Sequence, residues 1–141
     1  MLVKEIMSTD LITIKPSSTI HMAAAKMIKH GISGLIASDN GYDLSGIITK
    51  TDLLKAFVDG KKAGTPVDNI MRKKVYVVDA KDTLEDAAEI MTKKKVKRLP
   101  VVHKGRCVGI VTATDLIRYE DHMMDKLAVL YVVEKSKLQA G

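Results

Sequence analysis

The chain has few aromatic residues and a single cysteine. Tryptophan is absent, phenylalanine occurs once, and aromatic residues make up 4% of the 141 residues. This scarcity argues against a nucleic-acid surface built from stacking side chains. Cys107 alone cannot form an internal disulfide. The sequence also lacks a Walker A loop, a nucleophile elbow and a glycine-rich dinucleotide fingerprint, so it predicts no enzyme activity.

Long apolar runs are absent as well. No stretch approaches the ~20 apolar residues that cross a membrane, and the charged start is not typical of a signal peptide. We therefore expect a cytoplasmic protein without a membrane partner. The four histidines are dispersed, and His103 with Cys107 is too small a set for a metal site, so no metal or cofactor is expected. Hydrophobic residues form 46% of the chain, which is enough for an aliphatic core.

What the chain does contain is a duplication. A shift of 64 residues aligns Val3 with Val67, Met7 with Met71, Thr19 with Thr83, Ala23 with Ala87, Met27 with Met91 and Leu35 with Leu99. After the turns at Gly41 and Gly105 the shift becomes 63, and residues 46–52 (GIITKTD) match residues 109–115 (GIVTATD). So many matches in one register indicate two copies of one structural unit.

Each copy predicts the order strand, helix, strand, strand, helix, which is an α/β fold. In each copy an extended apolar run, residues 11–14 or 75–78, precedes a helix. The helix that follows residues 75–78 is predicted to begin with a capping box formed by Thr83 and Asp86. The first helix is expected to end at Gly31. The strands are nearly all apolar, as in sheets covered on both faces. We assign residues 7–64 to one domain, 71–128 to a second and 129–141 to a C-terminal tail.

Seven consecutive apolar residues, Leu127 to Val133, follow the second copy. One interpretation is a helix that continues from Asp115 and is buried against its own core. The other is a subunit contact, because seven apolar residues in a row exceed the one-sided stripe of a surface helix. The sequence leaves both interpretations open.

The Thr-x-Thr-Asp pattern at each strand-to-helix corner also has two interpretations. Thr51 and Thr114 can cap the helices, with Asp52 and Asp115 favouring the helix dipole. Alternatively, each carboxylate can accept hydrogen bonds from the 2′- and 3′-hydroxyls of a ribose, and the threonines can donate to ribose or phosphate oxygens.

The duplicated pattern of methionine, strand, capped helix, strand and Gly-apolar-apolar-Thr-x-Thr-Asp resembles the CBS domain, the cystathionine-β-synthase motif. Two copies in tandem resemble a Bateman module, and the resemblance covers residues 3–57 and 67–119. It implies pseudo-symmetric β-α-β-β-α repeats packed through their sheets, in a flat homodimer. It also implies clefts that bind adenosine compounds such as AMP, ADP, ATP or S-adenosylmethionine.

The resemblance assigns roles to individual residues. It implies ribose-binding aspartates at Asp52 and Asp115, with hydroxyls at Thr49, Thr51, Thr112 and Thr114. It implies an adenine pocket near Thr13, Leu35, Ile36, Val77, Leu99, Pro100 and Val101. Lys97 and Arg98 are expected to meet phosphate in the second copy. The first copy has Ser33 and Gly34 at these positions, so a phosphate there must find its charge elsewhere, for example in the opposite copy.

These residues support three functional hypotheses. The first is a non-catalytic sensor that binds an adenosine nucleotide and changes the state of an unidentified regulated protein. The second is a nucleic-acid-binding protein, suggested by the net charge of +6 and the basic run from Lys93 to Arg98. The alternative interpretation of that run is a solvated helix C-terminus, where lysines suit the dipole. An enzyme is the third and weakest hypothesis.

Overall fold

The computed structural model describes residues 1–119 and 127–131, which form two compact units. The first unit contains Asp10–Val75 together with Gly105–Cys107. The second unit contains Met1–Thr9, Tyr76–Lys104 and the described residues from Val108 onward. Each unit therefore includes a short segment that the repeat alignment assigns to the other copy.

The first unit has one three-stranded sheet and two helices. Its elements are β1 (Thr13–Ile14), α1 (Ile20–His30), β2 (Gly34–Ala37), β3 (Gly46–Thr49) and α2 (Lys50–Val58). The strand order is β1-β2-β3. Strand β1 is parallel to β2, with Thr13 opposite Ile36, and β2 is antiparallel to β3, with Gly34 opposite Thr49.

The second unit repeats this arrangement. Its elements are β4 (Val78–Asp79), α3 (Leu84–Lys94), β5 (Arg98–His103), β6 (Arg106–Thr112) and α4 (Ala113–Tyr119), and residues 127–131 are also helical. The strand order is β4-β5-β6, and β4 is parallel to β5, with Val78 opposite Val101. The predicted α/β class and the β-α-β-β-α order are thus confirmed in both copies. Strands β1 and β4 are shorter than their apolar runs, as is common for strands at a sheet edge.

The helix boundaries follow from local chemistry. At the start of α3, the Thr83 N–H donates to Asp86 Oδ2 at 3.0 Å and the Asp86 N–H donates to Thr83 Oγ1 at 3.1 Å, which confirms the capping box. Helix α1 ends before Gly31, whose φ of 63° lies in the left-handed region. The corresponding residue of the second copy is Lys95, which adopts a φ of 56° although it has a side chain.

The segments that begin the two repeats, around Val3 and Val67, each contribute to the core of the other copy's unit. Val3 is fully buried in the cluster that contains Val78 and Leu99, and Val67 is fully buried in the cluster that contains Ile14 and Leu35. Each begins a short 3₁₀ turn, Val3–Glu5 or Val67–Asn69. These apolar turns therefore complete the cores, which explains why they recur in the duplication.

Two glycines allow these segments to approach the sheets. A Cβ on Gly46 would lie 2.8 Å from the Arg72 carbonyl oxygen, and a Cβ on Gly109 would lie 2.8 Å from the Ser8 carbonyl oxygen. Real Cβ atoms do not come so close to backbone oxygens. The glycine that opens each Gly-apolar-apolar-Thr-x-Thr-Asp pattern is thus required for packing.

The apolar tail is partly described. Leu127 is fully buried in the core cluster of the second unit and Leu130 packs against that cluster, whereas Val129 is 59% exposed. Of the two interpretations of the apolar run, Leu127 therefore fits burial against its own core. Val132 and Val133 lie outside the described residues. Within residues 1–119 and 127–131, no helix combines the length and apolar character needed to cross a membrane.

Candidate functional site

The Thr-x-Thr-Asp pattern of the first copy forms a capping box where β3 meets α2. The Thr49 N–H donates to Asp52 Oδ2 at 2.8 Å and the Thr49 hydroxyl lies 3.0 Å from the same oxygen. In return, the Asp52 N–H donates to Thr49 Oγ1 at 3.4 Å. The helix cap is therefore Thr49, and the expectation that Thr51 caps it is wrong. A capping box needs hydroxyl and carboxylate three residues apart, a spacing that Thr51 and Asp52 do not have.

The second copy builds the same corner where β6 meets α4. The Thr112 N–H donates to Asp115 Oδ2 at 2.9 Å, and the Asp115 N–H donates to Thr112 Oγ1 at 3.2 Å. Thr112 is the capping residue here, which corrects the assignment to Thr114 for the same reason. Thr51 and Thr114 are both exposed. Their hydroxyls have no hydrogen-bond partner in the part of the chain that the structure describes, and they are accessible to a ligand.

The two aspartates differ in their surroundings. Asp52 is 8% exposed, and its Oδ1 accepts a hydrogen bond from Arg72 Nε at 3.2 Å. Asp115 is partly exposed, and within residues 1–119 and 127–131 it forms no ion pair. Among the residues that the structure describes, a cation therefore contacts the Oδ1 atom of Asp52 but not that of Asp115.

Backbone hydrogen bonds join each corner to the start of the neighbouring strand. The Ala113 N–H donates to the Lys97 carbonyl at 2.8 Å, and the Lys50 N–H donates to the Ser33 carbonyl at 2.9 Å. The structure thus brings Lys97 and Arg98 next to the corner of residues 112–115. It places Ser33 and Gly34 next to the corner of residues 49–52.

The two basic residues at the start of β5 are partly buried. Burial lowers the pKa of the Arg98 guanidinium, which nevertheless stays charged at neutral pH. The Lys97 ammonium lies 5.0 Å from the ring centroid of Tyr131, within cation–π range. Helical residues 127–131 therefore contact a side chain that was expected to bind phosphate.

The residues expected around adenine fall into two groups. Leu35, Leu99 and Val101 are fully or almost fully buried in the core clusters of their units. Because side chains alternate along a strand, Ile36 and Pro100 lie on the opposite sheet faces from these residues. Thr13 lies opposite Ile36, and the partly buried Val77 comes directly before β4. Within this second group Ile36 is only 2% exposed and Pro100 is also buried, whereas Thr13 and Val77 are partly exposed.

A surface cavity of about 640 Å³ lies near the other end of β2. Its lining includes Thr13, Lys15, Lys26, Lys29 and the segment 38–41. Thr13 is the one predicted site residue that reaches it, since Thr49 pairs with Gly34 at the opposite end of β2. In the part of the chain that the structure describes, no cluster of three His, Cys, Asp or Glu residues is suited to a metal ion.

Sequence reasoning did not identify Arg72 as part of the first site. The repeat alignment contains a signal for it, because a shift of 64 residues pairs Arg72 with Ser8. This is a charged residue in one copy and a small neutral one in the other. The difference became meaningful only when the fold placed Arg72 beside Asp52.

The CBS domain family model matches residues 3–59 and 67–122. The chain is 33% identical over 115 residues to the CBS domain-containing protein YhcV of Bacillus subtilis, covering 81% of each chain. It is 36% identical over 132 residues to inosine-5′-monophosphate dehydrogenase of Methanocaldococcus jannaschii, covering 91% of this chain and 26% of that enzyme.

Solved structures show the same similarity. The CBS domain pair of protein MJ0100, in complex with 5′-methylthioadenosine and S-adenosyl-L-methionine, superposes with a TM-score of 0.77 at 36% identity, covering 84% of this chain and 98% of that one. CBSX2 in complex with AMP superposes with a TM-score of 0.75 at 29% identity, covering 83% and 93%. With two matched domains that account for most of its length, the chain belongs to the CBS domain family.

Proposed function

We propose that the chain is a non-catalytic regulatory module that binds adenosine nucleotides at its two Thr-x-Thr-Asp corners. The observation that supports this most directly is the state of Asp115. Its Oδ2 is fixed by the Thr112 N–H, and its Oδ1 has no partner among the described residues. A carboxylate oriented in this way can accept both hydroxyls of a ribose. The MJ0100 pair and CBSX2, which share the fold, bind adenosine compounds.

In this proposal the second site holds ribose at Asp115, with Thr112 and Thr114 at its edge. Lys97 and Arg98 bind phosphate, and Val77 and Pro100 contact the adenine. The first site uses Asp52 with Thr49 and Thr51 at the corner, and Thr13 and Ile36, farther along the sheet, take the places of Val77 and Pro100. Leu35, Leu99 and Val101 support the adenine-binding strands from within the cores. The ligands compatible with these residues are AMP, ADP, ATP and S-adenosylmethionine.

The regulated partner remains an unidentified protein, and we propose that the module is a homodimer. Its first unit exposes large apolar side chains on α2, namely Leu54 (61% exposed), Phe57 (80%) and Val58 (81%). Apolar side chains exposed in sequence neighbours on one helix are typical of a protein contact. The cytoplasmic location is a prediction from the sequence.

The alternative function, nucleic-acid binding, finds less support in the basic run. Lys93 forms an ion pair with Glu89 at 3.2 Å, and the Lys94 ammonium lies 5.3 Å from the ring centroid of Tyr76. With the contact between Lys97 and Tyr131, three side chains of the run have partners within the protein, while Lys93 itself stays 70% exposed. The described contacts favour the interpretation as a helix C-terminus.

The test begins with mass spectrometry of small molecules released from the purified protein. Thermal-shift assays with AMP, ADP, ATP and S-adenosylmethionine then rank the ligands. A ligand at 100 times its dissociation constant stabilises the fold by about 2.7 kcal/mol, which is readily measured. If no adenosine compound raises the melting temperature and the chain binds DNA or RNA with a steep salt dependence, the alternative is correct.

A further inference from the structure

The two corners differ at one position that the repeat symmetry makes comparable. Arg72 exchanges both backbone hydrogen bonds with Ile47 at 2.9 Å, and Ser8 does the same with Ile110 at 2.9 and 3.0 Å. Ile47 and Ile110 are equivalent residues of β3 and β6. Arg72 is therefore placed relative to Asp52 as Ser8 is placed relative to Asp115. Of these two equivalent positions, position 72 carries a cationic side chain and position 8 does not.

The contact between Arg72 and Asp52 leaves most of the guanidinium available. Arg72 uses Nε toward Asp52 Oδ1, and its side chain remains 54% exposed. Arginine has five N–H donors in a planar fork, so its terminal nitrogens can bind an anion while Nε stays on the carboxylate. Asp52 thus orients the arginine. Its Oδ2 is taken by the backbone N–H and the hydroxyl of Thr49, so one lone pair on Oδ1 is left for a further donor.

We propose that Arg72 is the phosphate-binding residue of the first site, which makes that site selective for adenosine ligands that carry phosphate. This inference rests on the proposed function, since it takes Asp52 as the ribose acceptor. Because Arg72 Nε lies 3.2 Å from Asp52 Oδ1, the proposal takes the 5′-substituent of a ribose bound by Asp52 to lie near the guanidinium. A phosphate there gains charge-assisted hydrogen bonds from Arg72, whereas adenosine and 5′-methylthioadenosine have no anionic group to offer.

The proposal also identifies a source of positive charge for a phosphate bound at the first site. Ser33 and Gly34 occupy the positions of Lys97 and Arg98, so the strand start supplies no cation to the first site. Arg72 belongs to the opposite copy in sequence and to the first unit in structure. Each site then has a basic group, but from a different element: the segment before β4 for the first site and the start of β5 for the second.

The experiment is calorimetric titration of the full chain with AMP and with adenosine. Binding at the second site is first weakened by Asp115→Ala, or by Asp115→Asn if the alanine variant does not fold, so that the remaining binding reports on the first site. In this background, Arg72→Ser reproduces the residue of the other copy. We expect AMP affinity to fall about 10- to 100-fold and adenosine affinity to change less than about threefold.

Lys73→Ser is the matched control. It removes the same charge from the same segment, and Lys73 contacts Asp68 at 3.9 Å with both side chains at least half exposed. We expect AMP affinity to be retained in this variant. An equal loss in Lys73→Ser and Arg72→Ser would show a long-range effect of net charge and would overturn the proposal.

Two further outcomes separate this inference from the proposed function. If Asp52→Ala weakens both ligands but Arg72→Ser weakens them equally or not at all, the site is correct and the role of Arg72 is wrong. If Asp52→Ala leaves both affinities unchanged, the proposed site itself is wrong and the inference falls with it. Retained melting temperatures identify the variants that are folded.

Discussion

At the scale of single residues, Asp115 and Asp52 have a structural role whether or not a ligand binds. Each carboxylate accepts the N–H of the threonine three residues earlier, and each returns its own N–H to that hydroxyl. A loss of stability on substitution therefore cannot identify a binding residue. Ligand affinity must be measured separately from stability. The control is a variant in which the capping residue of a helix outside the proposed ligand sites is changed.

Asp115→Ala is predicted to affect both properties. Loss of the cap should lower the free energy of unfolding by about 0.5–2 kcal/mol. Loss of the ribose contacts should weaken AMP about 10- to 100-fold. Asp86→Ala is the matched control, since Asp86 forms the same capping box at α3. It should lose comparable stability and keep its affinity for AMP.

The 2′-deoxy form of AMP provides a check that leaves the protein unchanged. Wild-type protein should bind it more weakly than AMP, and Asp115→Ala should discriminate less between the two ligands. Titration of both proteins with both ligands completes a double-mutant cycle. The same comparison with Asp52→Ala reports on the first site. Equal deoxy penalties in the wild type and both variants would show that neither aspartate contacts the ribose.

Arg98 is predicted to act through its charge. Arg98→Ala should weaken AMP more than adenosine, because only AMP has a phosphate for the guanidinium. Arg106→Ala is a suitable control, as Arg106 is exposed and lies over the ring of Tyr42 at 5.4 Å. Since Arg98 is partly buried, its removal can also disturb packing. Equal losses for both ligands would mean that packing is its main contribution.

At the scale of elements, strands β3 and β6 are approached closely at Gly46 and Gly109 by the segments that contain Arg72 and Ser8. Sequence patterns did not predict this contact. Both glycines open the Thr-x-Thr-Asp signature, yet they serve the contact between a strand and the segment that pairs with it. A methyl group at Gly109 would meet the Ser8 carbonyl oxygen and the Met7 sulfur, at 2.8 and 2.7 Å. Backbone atoms cannot move away from such a clash without disturbing the strand.

Gly109→Ala and Gly46→Ala are therefore predicted to lower the free energy of unfolding by about 1–3 kcal/mol. Gly64→Ala is the control, because a Cβ at Gly64 meets nothing within 4 Å. Chemical denaturation of the three variants measures the difference. Equal stability in all three would show that the segments can shift without cost.

At the scale of the whole molecule, the predicted homodimer depends on where apolar surface remains. Leu127 is buried within its own unit, so the described part of the tail supplies less contact surface than its composition indicates. The exposed apolar residues of α2 are the stronger candidates. A closed twofold dimer would use the same surface on both chains.

Phe57→Asp is predicted to convert the dimer to monomer. A charge at the centre of an apolar contact has no partner and resists burial. Met22→Asp is the control, since Met22 is also an exposed apolar residue, at 54%, but belongs to helix α1. Sedimentation velocity at tens of micromolar measures both. A wild-type protein that is monomeric at this concentration would contradict the prediction.

Short-range patterns in the sequence determined the duplication, the order of elements, the cap at Thr83 and the end of α1 at Gly31. These features depend on residues three or four apart, or on a register that repeats, so they can be read without the fold. The family followed from the same patterns. Even the error at Thr51 and Thr114 was local, because the correct spacing for a capping box points to Thr49 and Thr112.

Tertiary structure decided the contacts between residues far apart in sequence. It placed Val67 in the core of the first unit and Val3 in that of the second. It also packed Leu35, Leu99 and Val101 into those cores, and it buried Ile36 and Pro100 on the opposite faces of the same strands. It also brought Arg72 to Asp52, across 20 positions of the chain. Such pairs depend on how strands and segments align in space, and no local spacing specifies that alignment.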